Sequence, residues 1–261
     1  MNTADTDVLA KELYECLRLG TVTDPISDRG KVVSIDDAYQ ISKNLLAMRE
    51  ADGERVIGKK IGLTNKVVQQ SLGVHQPDFG FLTDAMYFAS GAKVPLAKTL
   101  IQPKAEGEIA FRMGKDLRGP GVTAADVVDA TECVMPCFEI VDSRIVDWNI
   151  TIVDTIADNA SCGIFILGES LVDSSAVDFE NCEMRLSKRG ETLTTGVGSA
   201  ALGSALNCVA WLANALGEYG VALLKDDIVL SGSLGAMVPV FAGDQFELAI
   251  EGVGSCDISF E

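Results

Sequence analysis

A succession of short strand-like stretches separated by turn residues, with one clear helix among them, fills the chain from about Leu100 to its end and limits what it can fold into. The stretches are Glu106–Met113, Cys137–Val141, Gly163–Leu167, Cys182–Ser187, Asp227–Leu230, Val238–Phe241, Gln245–Ile250 and Cys256–Phe260. Short strands hide their apolar faces only against another layer, so this part reads as a β core. The interrupting helix runs from Ser204 to about Glu218, with Leu206, Val209, Leu212, Ala213 and Leu216 on a broad apolar face.

The chain begins differently. Apolar residues at Val8, Leu9, Leu13, Cys16 and Leu17 have helical spacing, and so do Ala38, Ile41, Leu45 and Met48 in a second helix. Ser34 is placed to cap that second helix, with Asp37 in its first turn. A loop, Thr23 to Gly30, separates the two. A glycine-punctuated strand, Arg55–Gly62, follows, then a brief helix from Asn65 to Leu72 stopped by Gly73, then a turn-rich stretch from His75 to Gly80. The fold class expected is α+β. An N-terminal helical part, 1–95, contributes the strand that carries Lys60, and a β core occupies 96–261.

Composition removes several functions. Acidic residues outnumber basic ones 38 to 21, for a net charge of −17, and no basic block stands out, so nucleic acid is not an expected partner. No apolar run reaches the roughly 18–20 residues of a membrane helix, and the N-terminus lacks the features of a secretory signal. Seven scattered cysteines do not suggest an exported disulfide framework, which points to the cytoplasm. The single histidine, His75, excludes histidine-rich zinc sites. Cys133 and Cys137 have a spacing compatible with half a zinc site, but read as small core residues on one side of an element.

The remaining chemistry is carboxylate chemistry. Glu106 and Glu108 are two apart on a strand and share a face, with the small Gly107 between them admitting a close neighbour. Alone, such a pair also fits a solvated strand face. Glu139 changes the balance, because it is one charge inside the apolar segment Pro136–Val141. Three carboxylates without a nitrogen or sulfur partner suit a hard cation, Mg²⁺ or Mn²⁺.

Lys60 lies among Ile57, Ile61 and Leu63 and is either an edge residue or a functional one. Facing a cation and substrate, it would favour the neutral amine and could shuttle protons. Its neighbour Lys59 should point the other way, to solvent. Asp78 is either an acid/base or a turn residue. Asn159 and Ser161 could offer hydrogen bonds to a substrate carboxylate, with Asp158 fixing their loop. Asp142 and Arg144 read as a structural ion pair.

Several longer motifs stand in order: Gly58-Lys-Lys-Ile-Gly-Leu-Thr-Asn-Lys66, Gly73-Val-His-Gln-Pro-Asp-Phe-Gly80, Gln102-Pro-Lys-Ala-Glu-Gly-Glu-Ile-Ala-Phe111, Phe138-Glu-Ile-Val-Asp-Ser-Arg-Ile-Val-Asp-Trp148 and Asp154-Thr-Ile-Ala-Asp-Asn-Ala-Ser-Cys-Gly163. Together they resemble the hydratase/decarboxylase branch of the fumarylacetoacetate hydrolase-like superfamily, and within it the 2-hydroxypenta-2,4-dienoate hydratases. The resemblance implies a mixed β-barrel or roll, with Glu106, Glu108 and Glu139 holding Mg²⁺ or Mn²⁺. It places Lys60 at the active site, with Asp78 and Ser161 near a small 2-hydroxy-dienoate or 2-oxo acid substrate. It also implies a homo-oligomer, and association with the homologous 4-oxalocrotonate decarboxylase. The alternatives are that decarboxylase activity itself, or a catalytically silent structural subunit.

Overall fold

The computed structural model describes residues 3–29, 33–71 and 74–261. Helices α1 (Thr3–Leu19) and α2 (Ile35–Ala51) pack together at the start of the chain. Leu9, Ala10, Leu13 and Cys16 form the buried face of α1, whereas Val8, expected in that face, is exposed. The Ser34 hydroxyl accepts the Asp37 N–H at 3.1 Å, and the Asp37 carboxylate accepts the Ser34 N–H at 3.0 Å. This reciprocal cap closes the start of α2, whose Ala38, Ile41 and Leu45 are buried. The short helix α3 spans Lys66–Ser71. The expected stop at Gly73, and the loop end at Gly30, lie outside the described residues.

Thirteen strands among the described residues form two sheets. The larger contains β1 (Val56–Gly62), β2 (Asp78–Thr83), β3 (Tyr87–Ala89), β5 (Lys104–Met113), β6 (Thr131–Val141), β7 (Cys162–Leu167), β10 (Ile228–Leu230) and β11 (Val238–Pro239). Its order is β2-β1-β10-β5-β6-β7-β3, with β11 also pairing with β5. The smaller contains β4 (Ala92–Val94), β8 (Glu183–Lys188), β9 (Glu191–Val197), β12 (Gln245–Ile250) and β13 (Gly254–Phe260), in the order β4-β13-β12-β8-β9. In β12 the buried Phe246, Leu248 and Ile250 alternate with exposed or half-buried residues, as a sheet with one covered face requires.

The sheets meet where β5 presents Gly107. A Cβ there would sit 2.6 Å from Leu248 Cδ1 of the smaller sheet, so the missing side chain is what admits the leucine. That contact assigns the faces of β5: Ala105, Gly107 and Ile109 belong to the inter-sheet core, and Lys104, Glu106 and Glu108 to the opposite face. Beneath the glutamates on that face lies a separate small apolar cluster that includes Leu82, Ala110, Met135, Cys137, Cys162 and Leu230.

The remaining helices are α4 (Leu96–Thr99), α5 (Ala124–Ala130), α6 (Ile152–Ala157) and α7 (Ala205–Glu218). The helical stretch Gly198–Glu218 is long and apolar enough by composition to cross a membrane, which the sequence reading did not anticipate. Half of it is buried, and α7 packs on α5 and β1 as a core helix. Helices α5 and α6, of 7 and 6 residues, are too short for their periodicity to show in the sequence. Strand β9 escaped for a different reason. Its residues are exposed or half-buried, so it lacks an apolar alternation. Register is set instead by the β8–β9 turn, where Arg189 and Gly190 both have positive φ, of 51° and 81°.

Candidate metal centre and active site

Strands β5 and β6 run antiparallel with Glu106 opposite Glu139 and Glu108 opposite Cys137. One carboxylate oxygen from each of Glu106, Glu108 and Glu139 lies within 4.8 Å of the others. Glu108 and Glu139 are buried and Glu106 is half-buried, at the open edge of the group. Glu108 Oε2 accepts the Gly232 N–H at 2.9 Å. Both oxygens of Glu139 are buried without a hydrogen-bond partner among the described residues.

An oxygen-only donor set with two orphaned buried atoms fits a hard divalent cation. Without one, Glu106 and Glu108 resist ionisation. Burial raises Glu106 to about 8, with Glu139 and Asp78 pushing the same way and Lys60 and Lys104 opposing. Burial also raises Glu108 well above the ordinary range, reinforced by Glu139 and Glu106.

Lys60 comes from β1, next to Gly80 of β2 and Leu230 of β10. Its Nζ stands 3.1 Å from Glu139 Oε1, an ion pair that lacks hydrogen-bond alignment. Burial works against the ammonium, but Glu139 and Asp78 outweigh it and hold its pKa above the ordinary value. Before any cation binds, therefore, the group is an ammonium, not the neutral amine expected from a neighbouring metal. A dication among the carboxylates would act in the opposite direction.

Lys59 also departs from expectation. It points away from Lys60, as alternation demands, but is buried rather than solvated, with Nζ 2.5 Å from Asp227 Oδ2. The flanking β10 segment supplies the carboxylate that makes this burial tolerable.

Asp78 is the first residue of β2, opposite Gly62, and not a turn residue. Burial raises its pKa, Lys60 opposes the shift, and its Oδ1 has no hydrogen-bond partner among the described residues. A Cβ at residue 62 would lie 2.2 Å from that oxygen and 3.2 Å from Lys60 Nζ, so Gly62 provides the space in which the two groups sit. Thr155 of α6 connects Asp78 to Ser161: its hydroxyl is 3.4 Å from Asp78 Oδ2 and 3.2 Å from Ser161 Oγ. Nothing in the sequence singled out Thr155 or Gly62 for these roles.

The loop carrying Ser161 is backbone-strained. Asn159, Ala160 and Ser161 have φ of 55°, 50° and 49°, each a conformation disfavoured for residues other than glycine. Two anchors hold it. Asn159 donates to Phe81 O at 2.9 Å and accepts the Phe81 N–H at 2.8 Å, so both ends of its amide engage β2. Arg144 donates to Asp158 Oδ1 at 2.5 Å and to the carbonyls of Asp158, Asp142 and Cys162. The ion pair expected between Asp142 and Arg144 is thus one between Arg144 and Asp158. The Asp142 carboxylate instead accepts the N–H groups of Ile101 and Gln102. His75 is exposed, and Cys133 and Cys137 are buried.

Residues 55–260 match the fumarylacetoacetate (FAA) hydrolase C-terminal family. The chain belongs to this family. Among fumarylacetoacetate hydrolase relatives, it is 54% identical over 251 residues to 2-hydroxyhexa-2,4-dienoate hydratase of Comamonas testosteroni, covering 96% of this chain and 95% of that one. It is 59% identical over 214 residues to 2-hydroxypent-2,4-dienoate hydratase of Pseudomonas putida, covering 82% and 96%. In three dimensions it superposes on 4-oxalocrotonate decarboxylase from Pseudomonas putida G7, solved with magnesium and adipate, with a TM-score of 0.96 at 31% identity, covering 100% and 99%. The α+β architecture, with N-terminal helices against curled sheets, is the fold of this family.

Proposed function

We propose that this fumarylacetoacetate hydrolase family member is a metal-dependent hydro-lyase. It hydrates 2-hydroxypenta-2,4-dienoate (2-oxopent-4-enoate) to 4-hydroxy-2-oxopentanoate in the meta-cleavage catabolism of aromatic compounds. The observation that carries the reading is the meeting of Glu106, Glu108, Glu139 and Lys60 in one buried cluster, in a chain 54% and 59% identical to two dienoate hydratases.

In this proposal the three carboxylates hold Mg²⁺ or Mn²⁺. The bound cation supplies Lewis-acid polarisation of the substrate's 2-oxygen and offsets its negative charge. The chain's own groups move the protons. Lys60 carries the proton released from the 2-hydroxyl toward the terminal carbon, giving a 2-oxo-3-enoate, and Asp78 beside it exchanges protons with it. Water then adds at carbon 4 and a proton at carbon 3. The Ser161 hydroxyl, positioned by Thr155, donates to the substrate carboxylate.

The proposal includes self-association, and association with the homologous 4-oxalocrotonate decarboxylase; light scattering and co-purification test these. A cytoplasmic location agrees with seven cysteines that are all buried and unpaired.

The decarboxylase reading draws on the TM-score of 0.96 with 4-oxalocrotonate decarboxylase, but at 31% identity it stands below the hydratases. Supplying 2-hydroxypenta-2,4-dienoate and 4-oxalocrotonate in separate assays, with Mg²⁺ and then with chelator, separates the two. The expected result is metal-dependent loss of dienoate absorbance with 4-hydroxy-2-oxopentanoate formed. Release of CO₂ from the second substrate favours the decarboxylase, and silence in both assays a structural subunit.

A further inference from the structure

Lys104, Glu106 and Glu108 occupy alternate positions on β5 and share the face that bears the carboxylate cluster. One residue, Ala105, separates Lys104 from Glu106, so the two stand roughly 7 Å apart along the strand, and the charge of Lys104 acts on the Glu106 carboxylate. The lysines of β1 behave differently from it: Lys59 is neutralised by Asp227 and Lys60 by Glu139. Among the described residues no carboxylate lies within ion-pair distance of Lys104. Its Nζ instead stands 4.2 Å from the centre of the Trp148 ring, a cation–π contact that holds the ammonium without cancelling its charge.

Trp148 is itself tightly placed. Its indole N–H donates to the Gln102 carbonyl at 2.9 Å. Asp147 and Trp148 both adopt positive φ, 54° and 56°, a costly pair of conformations for residues with side chains. Lys104 and Trp148 also line a cavity of about 520 Å³ whose other walls include Leu96, Leu100 and Phe241. Glu261, also on its lining, is directed to Lys93 at 3.8 Å. Lys104, its charge uncancelled, thus borders an apolar cavity on one side and shares the strand face of the carboxylate cluster on the other. The chain carries a net charge of −17, so a small organic anion approaches against the mean field and gains from a local positive charge.

We propose that Lys104, held on Trp148, is a positioning residue that draws the carboxylate of an incoming short-chain 2-oxo or 2-hydroxy acid to the edge of the carboxylate cluster. The identity of the acid rests on the hydratase reading; the electrostatic role does not. Lys104 acts on capture, not on bond making, so its removal raises KM and leaves kcat nearly unchanged.

The test titrates the Mg²⁺-loaded full chain with 2-oxopentanoate by calorimetry, for the wild type, Lys104→Gln and Lys104→Arg, at low and high salt. Expected are a Kd raised about fivefold or more in Lys104→Gln and restored to within about twofold in Lys104→Arg. The salt dependence of the wild type should be flattened in Lys104→Gln, since screening acts on the lost charge. With the dienoate, KM should rise by the same factor while kcat stays within about twofold. Unchanged 2-oxopentanoate binding with the wild-type salt dependence in Lys104→Gln overturns the proposal, as does a matching loss of Mg²⁺ affinity. If the wild type fails to hydrate the dienoate but binds 2-oxopentanoate in this Lys104-dependent way, the hydratase reading falls and this role stands.

Discussion

Lys60 and Glu139 stand 3.1 Å apart although β10 and β5 lie between their strands in the sheet. Three strand intervals in a flat sheet amount to roughly 14 Å, beyond what two parallel side chains bridge. Contact requires the sheet to curl, bringing β1 over β6 and enclosing the carboxylates on the concave side. The ion pair therefore reports the curvature of the whole sheet, and its disruption separates the roles of the groups that meet there.

Replacing Lys60 by methionine removes a cation that competes with a metal for the same carboxylates. Turnover of the dienoate should fall by about 10²–10⁴-fold, the range of a lost proton-transfer group. Mg²⁺ or Mn²⁺ affinity, measured by calorimetry, should hold or improve. A parallel loss of metal affinity would mean that Lys60 organises the cation site and does not move protons.

Glu108→Gln should behave otherwise. It keeps the shape and the acceptor for the Gly232 N–H but removes a charge from a buried oxygen set. Metal affinity and turnover should drop together, with turnover partly recovered at high metal concentration. Full activity without metal would sink the proposed role of the cluster.

Gly62→Ala tests the room made for Asp78 and Lys60. The added methyl would fall 2.2 Å from Asp78 Oδ1, so either the carboxylate or β1 must move. A loss of about 1–3 kcal/mol in stability is expected from such overpacking, with a larger proportional loss of turnover. Wild-type kcat in a stably folded Gly62→Ala would show that the placement of Asp78 is unimportant.

The pH dependence has a definite sign. Glu106 is raised to about 8 and Glu108 is also held well above the ordinary range, against an unfolded value of about 4.3. Across that window the folded apoprotein holds more protons than the unfolded chain, so its stability falls as pH rises. A cation displaces those protons; its affinity should rise with pH, and binding should release protons. Calorimetry in buffers of different protonation enthalpy counts them, and melting curves with and without Mg²⁺ give the stability arm. A metal-induced increase in Tm that shrinks as pH rises from 5 to 8 is the contrary result.

Arg144 is buried, and Asp158 is its ionic partner. Arg144→Met leaves that carboxylate without its charge partner and frees the strained Asn159–Ser161 turn. Chemical denaturation should show a loss of about 3–5 kcal/mol, and the variant should lose turnover as Ser161 shifts. A destabilisation below about 1 kcal/mol would show that the turn is held by other contacts, notably Asn159 on Phe81.

Much of this protein is legible residue by residue. Local rules indicate the Ser34–Asp37 cap, the shared face of Glu106 and Glu108, the close approach allowed by Gly107, and the oddity of Glu139 in an apolar strand. Each involves residues a few positions apart, where backbone geometry alone decides direction. The same rules place Lys59 and Lys60 on opposite faces of β1, and they do lie there. They could not show that Asp227, 168 positions away, waits for Lys59. Nor could they show that Arg144 chooses Asp158, fourteen positions away, over Asp142, only two away, since that choice depends on how the chain returns after α6.

The sequence by itself determined the donor chemistry: three carboxylates, a lysine and no competing histidine cluster. Only the tertiary structure decided that these groups share one site. Side-chain period and capping act over a turn or a strand pair, whereas the site depends on the accumulated curl of β1, β10, β5 and β6. That curl accumulates from strand to strand across segments far apart in the chain, an order that no local pattern encodes.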